Sequence, residues 1–300
     1  MIKILFTSLL LLFVSLPVSA TLNVFACEPE WASLVQELGR DKIKVFSATT
    51  AQQDPHRIQA RPSLIAKMRQ ADLLVCTGAE LEAGWLPVLL RRAANPRVQP
   101  GQPGYFEAAQ HVTLLDKPTR LDRAEGDIHA AGDPHIHLNP HNIRRIARAL
   151  TDTLKSVDPN NAVNYQQYSG DFHSRWQQAI ERWQQQAKPL RGLHVVTQHK
   201  SWAYLLDWLH MQEVARLEPK PGIPPSTAYL SQVLETLQHQ PAKAILIANY
   251  QNPKPAKWLQ QRSGTPLVTL PYTVGGTIDA DNLFRLFEVT LEQLNAGTTP

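Results

Sequence analysis

Cysteine is nearly missing from this chain: 300 residues contain two, Cys27 and Cys76. Two cannot build a disulfide framework, so the fold must rest on a buried core. Both cysteines close strand-like runs, which leaves a bond between them and a pair of buried thiols equally open. Charge of one sign is scarce as well. The formal charge is only +4 and no basic run occurs, which argues against nucleic acid as a partner. Beyond the N-terminus no segment is apolar for long enough to cross a membrane. Neither a His-Glu-x-x-His segment nor a nucleophile elbow is present, so common sequence marks of zinc peptidases and α/β-hydrolases are missing.

The one long apolar run, Ile4 to Val14, follows Lys3 and leads to Ser15-Leu16-Pro17-Val18-Ser19-Ala20. A basic start, a short apolar stretch and a small-residue end read as a secretory signal peptide over residues 1–20. The run is too short for a membrane span. Cys27 lies well past it, so a soluble periplasmic protein beginning at Thr21 is expected rather than a lipid-anchored one. The mature chain then has 280 residues (300 − 20) and a charge of +3, from 29 basic and 26 acidic groups. That length suits two lobes better than one core. A monomer is expected.

What is present alternates short apolar runs with helical periodicity, which points to βαβ units, parallel sheets and an α/β fold. Strands are expected at Asn23–Cys27, Ile43–Ser47, Asp72–Thr77 and Val112–Leu115. A second set follows at Leu193–Thr197, Glu213–Ala215, Ala244–Ala248 and Leu267–Leu270. Two similar lobes, each a four-stranded mainly parallel sheet flanked by helices, follow from that repetition. Their expected limits are 21–140 and 190–300. Residues 141–189 between them read as helical. Asn139-Pro140 and Asp158-Pro159 supply start signals. The stripe Tyr165, Tyr168, Phe172, Trp176, Ile180, Trp183, Ala187 predicts one long, stiff amphipathic helix joining the lobes. Residues 117–132 read as an exposed polar loop.

Among eleven histidines, position separates three from the rest. His56 and His199 follow strands, where ligands bind in open α/β sheets, and His135 precedes the linking helix. His210 and His239 end helices and His173 lies on a polar helix face, so they read as structural. Imidazole suits zinc and similar ions. Asp-Pro-His occurs twice, at 54–56 and 133–135; proline stiffens each loop, and Asp54 and Asp133 are placed to accept from the imidazoles behind the metal.

At this point the chain resembles the solute-binding proteins of zinc and manganese ABC importers. The resemblance runs through Asp54-Pro55-His56 with Arg61-Pro62-Ser63, Ala71-Asp72-Leu73-Leu74-Val75 to Gly78, Glu82, Gly84 and Trp85, Asp133-Pro134-His135 with Leu138-Asn139-Pro140, and Val196-Thr197-Gln198-His199 before Ser201-Trp202-Ala203-Tyr204. It implies two lobes on a rigid helix, a metal buried between them, and ligands at His56, His135 and His199. A third-position histidine is the zinc pattern, so Zn²⁺ is the expected cargo rather than Mn²⁺. It also implies an aspartate after the last strand, where this chain has Val274. The fourth ligand is therefore open among Glu28, Glu30, His137, Asp279, Asp281 and water, with Glu28 favoured. Asp279 reads better as the cap of the last helix. Zinc members often carry a histidine-rich loop before the second ligand; here Asp127 and His129 would be a reduced version of it.

These features predict zinc capture without catalysis and delivery to the membrane permease of an ABC importer, with affinity falling below about pH 6. The alternatives are a secreted zinc hydrolase using an activated water, with Glu28 or Glu30 as base, and a stand-alone periplasmic zinc chaperone or adhesin.

Overall fold

The computed structural model describes residues 21–118 and 129–298, so the expected signal peptide and most of the expected polar loop lie outside the described residues. Two sheets of four parallel strands form the framework. The first has the order β2-β1-β3-β4, from β1 (Leu22–Ala26), β2 (Ile43–Ser47), β3 (Leu73–Cys76) and β4 (Tyr105–Glu107). The second repeats it as β6-β5-β7-β8, from β5 (His194–Thr197), β6 (Gln212–Arg216), β7 (Ala244–Ala248) and β8 (Leu267–Leu270). Each central strand is apolar at consecutive positions because it is covered on both faces. Val24 and Ala26 face one cluster while Phe25 and Cys27 face another. In the second sheet Leu246 and Ala248 point one way, Ile245 and Ile247 the other.

The outer faces have separate cores, whereas the inner faces of both sheets belong to one continuous core. That core is built on the helices between the lobes: α4 (Pro140–Val157) and α5 (Ala162–Gln186). Asn139 caps α4 by accepting from the His141 amide at 2.9 Å, and Pro140 fits its first turn, where no amide donor is needed. The aromatic stripe of α5 packs on α9 (Leu283–Thr298): Trp176 meets Phe284 at 4.8 Å and Trp183 stacks on Phe287 at 5.0 Å between ring centroids. Two helices thus join the lobes, the second ending at Gln186 rather than continuing to Pro189.

Two sequence expectations are corrected. The fourth strand is Tyr105–Glu107, pairing with Leu74 to Cys76, and not Val112–Leu115. Three residues are too few to show periodicity, while Val112, Leu114 and Leu115 are apolar because they pack irregularly against the shared core. The last helix is capped by Asn282, which accepts from the Arg285 amide at 3.1 Å, and not by Asp279. Cys27 and Cys76 form a disulfide across neighbouring β1 and β3, with Cα atoms 4.8 Å apart. No helix among the described residues is long and apolar enough to cross a membrane.

Trp176 is fully buried, and its indole donates to the Pro140 carbonyl at 2.9 Å. Trp176→Ala should lower unfolding free energy by about 3–5 kcal/mol in urea titrations, with both lobes still melting in one transition because they share this core.

Candidate metal centre

His56, His135 and His199 meet between the lobes, each offering a nitrogen, with these atoms all within 4.8 Å of one another. Ring centroids are 5.6 Å apart for His56 and His135, 6.0 Å for His56 and His199, and 6.1 Å for His135 and His199. The two Asp-Pro-His segments make the same side-chain bonds. In each, one aspartate oxygen accepts from both the histidine amide and the imidazole Nδ1: Asp54 at 3.0 and 2.8 Å, Asp133 at 2.8 and 2.8 Å. This is an Asx turn, with proline at its second position fixing φ. His199 obtains the same support across the sheet, its Nδ1 lying 2.7 Å from Glu218, which follows β6. Carboxylates only accept, so each Nδ1 carries the proton and each Nε2 presents a lone pair to the centre. The Nε2 of His135 is buried and has no partner of its own.

The loops that carry these residues are tied down from both lobes. Trp85 donates to the Pro55 carbonyl at 2.9 Å, and Asn249 of the second lobe donates to Ala51 at 2.7 Å. The Tyr204 hydroxyl donates to the Asp133 carbonyl at 2.8 Å and accepts from the Leu115 amide at 3.0 Å. Burial then acts on the imidazoles. It holds His135 down at about 4, against the opposing pull of Asp133. Proton competition at His135 therefore begins well below the pH 6 expected from sequence.

The structure does not bring Glu28 into this group. Glu28 sits at the end of β1, turned toward β3, where it accepts from the Thr77 hydroxyl at 3.2 Å. Burial first, then the neighbouring Glu82 and Glu30, raises its carboxyl well above the usual range. Glu82 is pushed up to about 7, mainly by burial, so the pair favours sharing a proton over binding as two anions. His137 is corrected too. Residues 136–138 form a 3₁₀ turn, not an extended segment, so His137 points away from His135. It sits 3.3 Å from Glu30 and 3.0 Å from the Tyr272 carbonyl. Glu30 also bonds the Thr273 hydroxyl of the second lobe. Val274 packs on the shared core, while Asp279 and Asp281 are exposed.

Two residues near the centre were not picked out as supports or ligands from sequence. Glu218 is nineteen residues from His199 and becomes its neighbour only through β5–β6 pairing. His129, at the described edge of the polar loop, places its Nε2 3.2 Å from that of His56. His129, His135 and His199 line one cavity of about 280 Å³.

A family model described as zinc-uptake complex component A, periplasmic, matches residues 24–297. The manganese ABC transporter substrate-binding lipoprotein PsaA of Streptococcus pneumoniae is 22% identical over 292 residues, 93% of this chain and 89% of its own. The high-affinity zinc uptake system protein ZnuA of Bacillus subtilis is 23% identical over 233 residues, covering 76% and 71%. A crystal structure of ZnuA has a TM-score of 0.76 at 21% identity, spanning 93% of this chain and 100% of that one. The Pseudomonas aeruginosa protein FpvC, in complex with Mn²⁺, gives 0.77 at 21% identity, with 93% and 99% covered. At such identities the structural likeness establishes the fold alone.

The depressed His135 yields a pH test on the metal-free protein. Between its ordinary value of 6.5 and about 4, the unfolded chain takes up a proton that native His135 refuses. Stability is therefore present above pH 6.5 and lost as pH falls toward 4. Subtracting the unfolding free energy of His135→Gln from that of the parent isolates this contribution from the raised glutamates, whose sign is opposite. In chelator-treated samples the difference should fall by on the order of 3 kcal/mol across that window.

Proposed function

The chain belongs to the zinc-uptake component A family of metal-binding ABC transporter substrate-binding proteins, and on that premise we propose that it captures Zn²⁺ in the periplasm and delivers it to the membrane permease of an ABC importer. The observation that carries this reading is the convergence of three Nε2 lone pairs, each fixed by a carboxylate on the opposite ring nitrogen. Orienting partners of this kind raise imidazole basicity and hold the ring in place for a metal. The donor set favours zinc over manganese. Manganese prefers carboxylate, carbonyl and water oxygens, whereas imidazole nitrogen suits zinc. Here Asp54, Asp133 and Glu218 spend their nearest oxygens on Nδ1 protons.

Capture and release without chemistry also fits the surroundings. A hydrolytic site would need a base beside a metal-bound water. Glu28 and Glu30, which sequence offered for that role, are buried and each bonds a hydroxyl outside the three-histidine group, Thr77 and Thr273. Hydrolase assays on the zinc-loaded protein should stay at background.

Calorimetry at neutral pH should show one Zn²⁺ bound more tightly than micromolar, and Mn²⁺ at least about 100-fold more weakly, following donor softness. Equal affinities would remove the zinc assignment while leaving metal capture in place. Asp133→Asn and Glu218→Gln should each weaken zinc binding by about 10–100-fold, as loss of an orienting partner does. His135→Ala should abolish tight binding.

A further inference from the structure

Resting on the zinc reading above, we propose that the exposed turn Lys220–Ile223 sets how firmly His199 holds the ion, and so how fast the ion leaves, with Gly222 as the positioning residue. The three supporting carboxylates share one pattern: a single oxygen accepts from an imidazole Nδ1 and from a backbone amide. At Asp54 and Asp133 that amide belongs to the supported histidine itself, His56 or His135. Such a support is closed within three residues. At Glu218 the pattern is split. Its Oε2 accepts from His199 Nδ1 at 2.7 Å and from the Gly222 amide at 2.8 Å. Two segments of the second lobe therefore meet on one oxygen, and His199 alone of the three is oriented from outside its own turn.

The Glu218 main chain is pinned beside the segment that bears His199. Its amide donates to the Gln198 carbonyl at 3.0 Å, and the Leu217 amide donates to Thr197 at 2.8 Å. Adjustment is thus left to the side chain. Glutamate has one more rotatable bond than aspartate and more rotamer freedom to lose, so a second anchor on the same oxygen decides where it points. Gly222 supplies that anchor.

The anchor belongs to a stiff surface turn. The Ile223 amide returns to the Lys220 carbonyl at 3.0 Å, with Pro221 second and Gly222 third at φ +77. Proline followed by a residue of positive φ is the type II arrangement, which favours glycine at the third place. Pro219, Pro224 and Pro225 flank it, and each fixes its own φ, so a displacement passes along the segment instead of being absorbed in it. Ile223 is 42% exposed, and Pro224 beside it is exposed as well. The turn is reachable from solvent, while its amide reaches a largely covered carboxylate. Moving the turn turns that carboxylate, and with it the His199 ring.

The test follows Zn²⁺ loss to excess chelator by stopped flow, with affinity from chelator competition. Gly222→Val cannot hold a positive φ without strain. It should release zinc about 10-fold faster than wild type, as loss of a hydrogen bond to a charged group does. Gly222→Asn tolerates this φ and should stay within about twofold. Pro221→Gly loosens the turn without strain and should shift the rate the same way by a smaller factor. Gly264→Val carries a like backbone penalty at φ +72, just before β8 and at the opposite end of the sheet from His199. It should leave the rate unchanged, and the two valine variants should melt alike when metal-free. In a Glu218→Ala background, adding Gly222→Val should change nothing further, because the path from turn to ring is gone. Unchanged rates in both Gly222→Val and Pro221→Gly would overturn the assignment, and so would a valine effect that persists in full without Glu218. A wild-type protein that binds no zinc would instead overturn the capture reading, which separates the two failures.

Discussion

The packing of α5 against α9 is the contact on which the metal centre depends. Three imidazoles converge from separate segments in two lobes, and a shift of one ångström between the sheets would part their nitrogens. Phe172, Trp176 and Trp183 on α5 meet Phe284 and Phe287 on α9 in stacked and edge-on contacts with centroids 4.8–6.4 Å apart. Each large ring buries on the order of 150–250 Å², so separating this seam would expose several rings at once. The inner faces of both sheets pack into the same cluster. The lobes are thus two in topology and one in packing.

On that fixed frame, polar bonds across the gap set the finer geometry. Glu30 reaches both His137 and Thr273, and His137 meets the Tyr272 carbonyl, so a buried clasp joins α1 (Pro29–Gly39) to the segment after β8. That segment is where the family resemblance implies an aspartate ligand. Here it carries Thr273, turned to Glu30, and Val274, packed on the core. The carboxylates that belong to the centre instead stand behind the imidazoles. On the proposed zinc reading, anions placed there rather than on the metal would keep the facing donors neutral and still compensate a dication in a buried site.

The sequence exposed what repeats locally. Alternating apolar runs reveal both sheets, and the doubled Asp-Pro-His marks two of the three converging imidazoles together with the aspartates that hold them, because an Asx turn is written within three residues. His199 was legible from its place after β5. What stayed hidden depends on partners distant in the chain. Glu218 supports His199 only through strand pairing, and β4 is an edge strand with three residues of pattern. Glu28 stands apart from the three imidazoles because Thr77 and Glu82, in the segment that follows β3, lie against its carboxylate. His129 was visible as part of a polar loop, but nothing local shows that the turn at Gly132 brings it back to His56.

A shared core also limits how a bound ion can leave. Opening the lobes as rigid halves would expose apolar surface at about 25 cal/mol per Å², and the rings of the α5–α9 seam alone would make that many kcal/mol. Local change is cheaper. The segments bearing His56, His129 and His199 lie outside regular elements and are held by a few hydrogen bonds each, such as those from Asn249 to Ala51 and from Ala130 to Glu80. Each such bond contributes about 1 kcal/mol net. His135 differs, being almost completely buried at the entrance to α4 and joined to the core through Ile136 and Leu138. Rearrangement around the three imidazoles is therefore cheapest in the surface loops, and His135 is the most firmly set of them.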